Sequence, residues 1–150
     1  MEDRGDHYIL DDEGEPVAVD LMTWAYWFET IGQGRVVLRT KPARDAEVST
    51  VFLSLDHNWN LKGPPVLWET MVFGGVFDSW QSRYRSKLEA LTGHAQIEAL
   101  VAVYRELPRR TKWALRKWAR PYREDFSSWV LRPGERRQVE HVLRRIGWKD

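Results

Sequence analysis

The chain contains no cysteine. Disulfide staples and thiolate metal sites are excluded by that alone, and a reducing cytoplasm is the simplest setting. Long apolar runs are also missing. The runs present, such as residues 51–55 and 100–104, fall far short of the ~20 residues that cross a bilayer, so no membrane partner is expected. The start, Met1-Glu2-Asp3-Arg4, is charged and is followed by no apolar stretch, so no signal peptide is expected. Catalytic signatures are scarce too. Gly32-Gln33-Gly34 lacks the third glycine of a dinucleotide fingerprint, and there is no phosphate loop, no Gly-x-Ser-x-Gly elbow and no His-Glu-x-x-His pair. No cofactor is implied.

What is present is a chain of 150 residues with 43% hydrophobic and 30% charged residues, the size and balance of one globular domain. It holds 9 tryptophans. Indoles mostly serve packing, with a polar edge left to hydrogen-bond, but some can form a recognition surface; Trp59 and Trp148 stand in a loop and near the terminus and are expected to be the exposed ones. The net charge of +1 conceals a division: residues 1–104 hold 9 Lys/Arg against 16 Asp/Glu, a balance of −7, whereas residues 105–150 hold 14 against 6, a balance of +8. Such segregation speaks of partners or self-association rather than of fold.

Along the chain, Tyr8-Ile9-Leu10 and Val17-Ala18-Val19 flank an acidic turn with Gly14 and predict a β-hairpin. Asp20 fits an N-cap, and Leu21, Trp24, Trp27, Phe28 and Ile31 recur at helical spacing up to Gly32, which predicts a helix with an aromatic buried face. Residues 35–40, 47–57 and 66–73 predict strands of an antiparallel meander, with turns at 41–46 around Pro42 and at 58–65; residues 76–85 are an irregular stretch or an edge strand. Apolar residues fall on both faces of the second and third strands, so the sheet needs two covers: the first helix on one side, and a C-terminal element or a second subunit on the other. Ser86 and Glu89 fit a capping box opening a helix to about Leu107, with Leu88, Leu91, Ala95, Ala99 and Ala102 as its stripe and Gly93 at a close contact with the sheet. After Pro108, Arg109, Lys112, Arg116, Arg120 and Arg123 fall three or four apart and predict a cationic helical stripe beside an apolar one of Leu115, Trp118 and Tyr122. Pro121 interrupts that helix near its end, Pro133-Gly134 predicts a turn, and residues 135–146 predict a last helix with Val139, Val142, Leu143 and Ile146 as core. The expected fold class is therefore α+β: an antiparallel sheet of about five strands packed by helices, divided into an acidic α+β domain (1–107) and a basic helical extension (108–150) packed on or beside it.

Two sets of residues bear on chemistry. Asp56-His57-Asn58 ends one strand, Glu69 lies in its neighbour on a face with Leu67, Met71 and Phe73, and His94 sits on the following helix. His57, Glu69 and His94 are the candidate catalytic set, for a hydrolytic or metal site if they meet; Asp-His-Asn also occurs in ββα-metal nucleases, whose remaining motifs do not follow here. The alternative is an interior polar network holding Glu69 and His94, with His57 shaping a loop. The second set is the basic third, where Arg109, Lys112, Arg116, Arg120 and Arg123 are interleaved with Trp113, Trp118 and Tyr122. That pattern suits phosphate contact plus stacking on nucleic acid, an acidic protein surface, or docking on the chain's own acidic part or that of a second copy, as in a homodimer.

The residues VSTVFLSLDHN (48–58), PPVLWETMVFGG (64–75), Arg83-Tyr84 and Gly93-His94, with YILD (8–11) and WAYWFE (24–29), resemble a family of small proteins encoded by phages and prophages that have no assigned activity. The resemblance spans residues 8–100 and leaves out the basic third. It implies a phage-related origin, a host-cell cytoplasmic location and an accessory or host-directed role exercised by stoichiometric binding. Together these readings point to a binding protein more than to an enzyme: an accessory protein for a host or phage macromolecule, with inhibition of a host nucleic-acid-handling defence complex as one version. Direct nucleic-acid binding by the C-terminal helices and a small hydrolase at His57, Glu69 and His94 are the alternatives.

Overall fold

A computed structural model describes residues 5–120 and 131–149. The expected hairpin is formed by β1 (Tyr8–Leu10) and β2 (Pro16–Ala18), antiparallel with Tyr8 opposite Ala18. Asp11 closes its turn by accepting the backbone N–H groups of Glu13 (3.0 Å) and Glu15 (2.8 Å), a side-chain substitute for a backbone turn. Asp20 then caps α1 (Leu21–Ile31), accepting from the N–H groups of Met22 and Thr23. The Thr23 hydroxyl and these amides hold the Asp20 carboxyl below its ordinary value. The aromatic face of α1 is only half sealed: Trp24, Trp27 and Phe28 are half-buried and no residue of the helix is fully buried. Trp27 meets Phe52 edge-on at 5.9 Å.

The main sheet is an antiparallel meander in the order β3 (Val36–Ala43), β4 (Ala46–Phe52), β5 (Trp68–Phe73), β6 (Gln81–Tyr84). The α+β class holds, but the single sheet of about five strands does not: there are four strands here and two in the separate hairpin. Ser54 has φ 63°, which breaks the extended course of β4. The hairpin's backbone joins this segment at and beyond that break, through the Tyr8 N–H to the Ser54 carbonyl (2.9 Å) and an isolated bridge between His7 and Leu55, while the Tyr8 side chain packs with Phe52, Leu67 and Trp68. The predicted turn at 41–46 is also shorter than expected. β3 runs through Pro42, and Arg44 and Asp45 alone make the turn. An edge strand tolerates proline because its outward N–H has no ladder partner to lose.

Helix α2 (Lys87–Val103) lies across all four strands. Ser86 accepts from the Glu89 N–H at 3.1 Å, as expected of the cap. The buried stripe differs from the expected one. It comprises Ala90, Gly93, His94, Gln96, Ile97, Leu100 and Val101, while Leu88 is 75% exposed and Ala95 and Ala102 are exposed. Apolar residues occur all round this helix, so periodicity has no unique answer; the contact at Gly93, where a Cβ would overlap the Tyr84 hydroxyl, selects the face. Gly93 thus has the role expected of it.

A 3-10 turn at Tyr104–Glu106 leads into α3 (Arg109–Ala119), and α4 (Pro133–Arg145) follows. Pro133 and Gly134, expected as a turn, are the first residues of α4, where proline's fixed φ and missing N–H cost nothing. Pro121, Tyr122, Arg123 and Trp129 lie outside the described residues.

One hydrophobic core crosses the junction at Leu107-Pro108. Val48, Val72, Trp80, Ile97 and Leu100 from the sheet and α2 pack with Ala114, Leu115, Val139 and Val142 from α3 and α4. Trp148, expected to be exposed, is half-buried and stands edge-on to both Trp80 (5.9 Å) and Trp118 (5.1 Å). Trp59 is 81% exposed, as expected. On the face turned from α2, Val51 and Met71 are half-buried and Phe73 is 49% exposed. That face is laced by two cross-strand ion pairs, Arg39–Glu47 (3.1 Å) and Arg83–Glu69 (2.8 Å). The second cover expected there is therefore absent among the described residues, and α3 and α4 share one core with α2 and the sheet's other face instead.

Candidate functional site

The three candidate catalytic residues are not assembled. Thr70 faces α2, since its hydroxyl bonds the Ala90 carbonyl (3.3 Å). Strand alternation then turns Glu69 to the opposite face, where it pairs with Arg83. His94 is fully buried beneath α2, with Nε2 2.9 Å from the Thr40 hydroxyl and Nδ1 2.8 Å from that of Thr50. Burial holds its pKa below the ordinary histidine value, against a smaller opposing pull from Glu98. His57 donates from Nδ1 to the carbonyl of Leu55 (2.8 Å) and packs beside Trp59. Each of the three belongs to a different local structure, and the interior network anticipated for Glu69 and His94 is found for His94 with three threonines. Among the described residues no group of three or more His, Asp and Glu is placed to hold a metal ion.

The Asp56-His57-Asn58 string instead builds a loop. Asp56 accepts the N–H groups of Asn58 (2.7 Å) and Val66 (2.9 Å), and the buried Asn58 amide donates to the carbonyls of Lys62 (2.8 Å) and Pro64 (3.0 Å). Loop backbone that would otherwise lack partners is thereby satisfied.

The basic third is docked by apolar packing, not by charge. Arg105–Asp45 (3.1 Å) is the ion pair that joins residues 105–150 to residues 1–104 among those described. It lies in a cleft with Lys41, Arg44 and Val101, so that cleft's charge is partly neutralised. Lys117–Glu135 (2.9 Å) is internal to the basic part and largely sheltered. The Arg132 N–H and the Lys117 ammonium hold the Glu135 carboxyl below its ordinary value.

The cationic stripe divides. Lys112 folds inward, its ammonium capping the Arg105 carbonyl (2.6 Å) above the Tyr104 ring. Arg116 stays exposed, close enough to oppose the rise that burial imposes on the Tyr104 pKa. Arg120 is half-buried, and Arg123 lies outside the described residues. Trp118 belongs to the core margin. What remains outward besides Arg116 is Arg109 with Trp113, which is 55% exposed.

These two line a cleft of about 550 Å³ between α3 and α4, together with Arg110, Arg132, Gly134, Glu135 and Gln138. Arg109 and Arg110 make no ion pair among the described residues. Lys117 stands over the Trp113 ring at 5.1 Å. Sequence reading located Arg109 and Trp113 here but missed Arg110, Arg132 and Gln138. Arg110 lies off the three-four spacing of the cationic stripe, and Arg132 enters only through the way α4 docks on α3; the Arg132-Pro133 step, marking a helix start, was the one available signal.

No helix among the described residues is long and apolar enough to cross a membrane. No family model, no curated protein and no solved structure matches the chain.

Proposed function

We propose that this chain is a non-catalytic accessory protein that binds an anionic macromolecule through the outward face of α3 and α4. The observation behind it is the α3–α4 cleft: Arg109 and Arg110, which make no ion pair among the described residues, beside an exposed indole, on helices already anchored by their apolar faces. Had self-docking been the purpose of the positive charge, its arginines would meet the carboxylates of residues 1–104; Arg105–Asp45 is the pair of that kind. Exposed arginines cost little in water and gain when a fixed anionic surface meets them. The phage-family resemblance of residues 8–100 supports a stoichiometric, host-directed role, with inhibition of a nucleic-acid-handling complex as one version of it.

Affinity capture of the tagged full-length chain from expressing or infected cells tests this. Wild type is expected to retain a stoichiometric partner, and Arg109→Glu with Arg110→Glu to lose it while unfolding at the same temperature. Equal retention by the charge-reversed variant, or no partner at low salt, would count against the reading.

A further inference from the structure

We infer that the α3–α4 cleft is a site for single-stranded nucleic acid, with Trp113 as the platform for one base and Arg109, Arg110 and Arg132 as phosphate contacts. This rests on the anion-binding reading of the same face and names its occupant. Arginine forks suit phosphate and carboxylate alike, so charge alone does not choose between nucleic acid and an acidic protein. The indole does. Trp113 is 55% exposed within the cationic cleft, and its flat apolar face gains little from a carboxylate. A nucleotide alternates an anionic phosphate with a flat aromatic base, and stacking on an aromatic side chain is how sequence-tolerant single-strand sites are built. In a duplex the bases already stack on one another, and their faces are out of the ring's reach.

Other features of the cleft agree. Its ~550 Å³ lies within the roughly 300–1,000 Å³ of ligand clefts. The carboxylate that would repel phosphate, Glu135, is turned to Lys117 (2.9 Å) and the Arg132 N–H (2.8 Å). Lys117 stands over the Trp113 ring at 5.1 Å, yet the residue stays 55% exposed and so open to stacking. Gln138 also lines the cleft, and its buried Oε1 has no hydrogen-bond partner among the described residues; rotated outward, the amide would meet the polar edge of a stacked base.

The test is fluorescence anisotropy on the full-length chain at low salt, with labelled oligothymidylate, the matching duplex and labelled poly-glutamate as separate probes. Oligothymidylate is expected to bind more tightly than duplex. Trp113→Ala should weaken it about 5- to 150-fold, and Trp113→Phe should retain most of the affinity. Arg109→Ala with Arg110→Ala should reduce the slope of log affinity against log salt by ~0.7 for each phosphate no longer neutralised. Arg44→Ala, in the other basic cleft, should change neither.

Binding of poly-glutamate alone, abolished in the same arginine variants, would overturn nucleic acid as the occupant while leaving the anion-binding face standing. Failure of all three probes would overturn both readings. Oligothymidylate binding indifferent to Trp113→Ala would remove the stacking site, and equal binding of duplex would remove the single-strand assignment.

Discussion

The Nδ1 atom of His94 stands 2.8 Å from the hydroxyl of Thr50, and that contact sets the proton order of the interior. Thr70 donates to the Ala90 carbonyl (3.3 Å), so its oxygen accepts the Thr50 proton (2.7 Å). Thr50 in turn accepts from His94 Nδ1–H, and Thr40 donates to Nε2 (2.9 Å). A neutral ring satisfies every member of this chain, whereas a second ring proton would displace the Thr40 donor from Nε2 and be buried, with only the Glu98 carboxylate 3.8 Å away to favour it.

Stability should therefore depend on pH through His94. Its folded-state pKa lies below the ordinary 6.5, chiefly through burial. Between the two values the unfolded chain binds a proton that the folded chain refuses, so stability rises with pH there. The contribution is fully present above about pH 6.5 and is lost as pH falls below it. Thermal unfolding between pH 8 and pH 5 should show the midpoint falling on the acid side. In His94→Gln that acid-side fall should be flattened; an unchanged slope would remove His94 as its source.

Gly93 is where α2 touches the sheet. A methyl group there would overlap the Tyr84 ring and hydroxyl, and forced overpacking costs about 1–3 kcal/mol. Gly93→Ala should lower the urea midpoint accordingly despite its gain in helix propensity. Tyr84→Leu should be less harmful in the Gly93→Ala background than in the wild type, and additive effects would show the two positions to be independent.

The 56–66 loop depends on the amide of Asn58, which is 6% exposed. Asn58→Ala removes the donor to the Pro64 carbonyl and one of two donors to the Lys62 carbonyl, which keeps Arg85 Nη1 (3.2 Å), at a cost of about 1 kcal/mol. Hydrogen exchange should accelerate at Leu61 and Val66, with the protection of β4 retained.

Residues 1–107 alone should not form a native domain. Trp80, Ile97 and Leu100 are buried partly by Leu115, Val139 and Val142, and each large apolar side chain uncovered forfeits roughly 1.5–3 kcal/mol. Marginal domain stability cannot absorb several such losses. The fragment should give poorly dispersed amide spectra and a broad thermal transition. Sharp, native-like dispersion would instead establish an autonomous acidic domain.

Much of the architecture was legible because it is governed by neighbours in sequence. Asp20 and Ser86 cap helices with their own following amides, Asp11 closes its own turn, and strands joined by short turns pair with each other, as β3 and β4 do. The charge segregation between residues 1–104 and 105–150 is likewise a property of the sequence alone.

Tertiary structure decided which of several equivalent faces would be used. α2 has apolar residues on every side, and only the approach of Tyr84 to Gly93 selects the buried one. Glu69 and His94, which the sequence left free to meet, are separated because one residue's step along a strand exchanges the two sides of a sheet. Arg132 meets Trp113 across a cleft only because α4 docks on α3. Local hydrogen bonding and hydrophobic period are short-range and written in order along the chain. Convergence of distant side chains depends on how packed elements settle against one another, which no window of sequence contains.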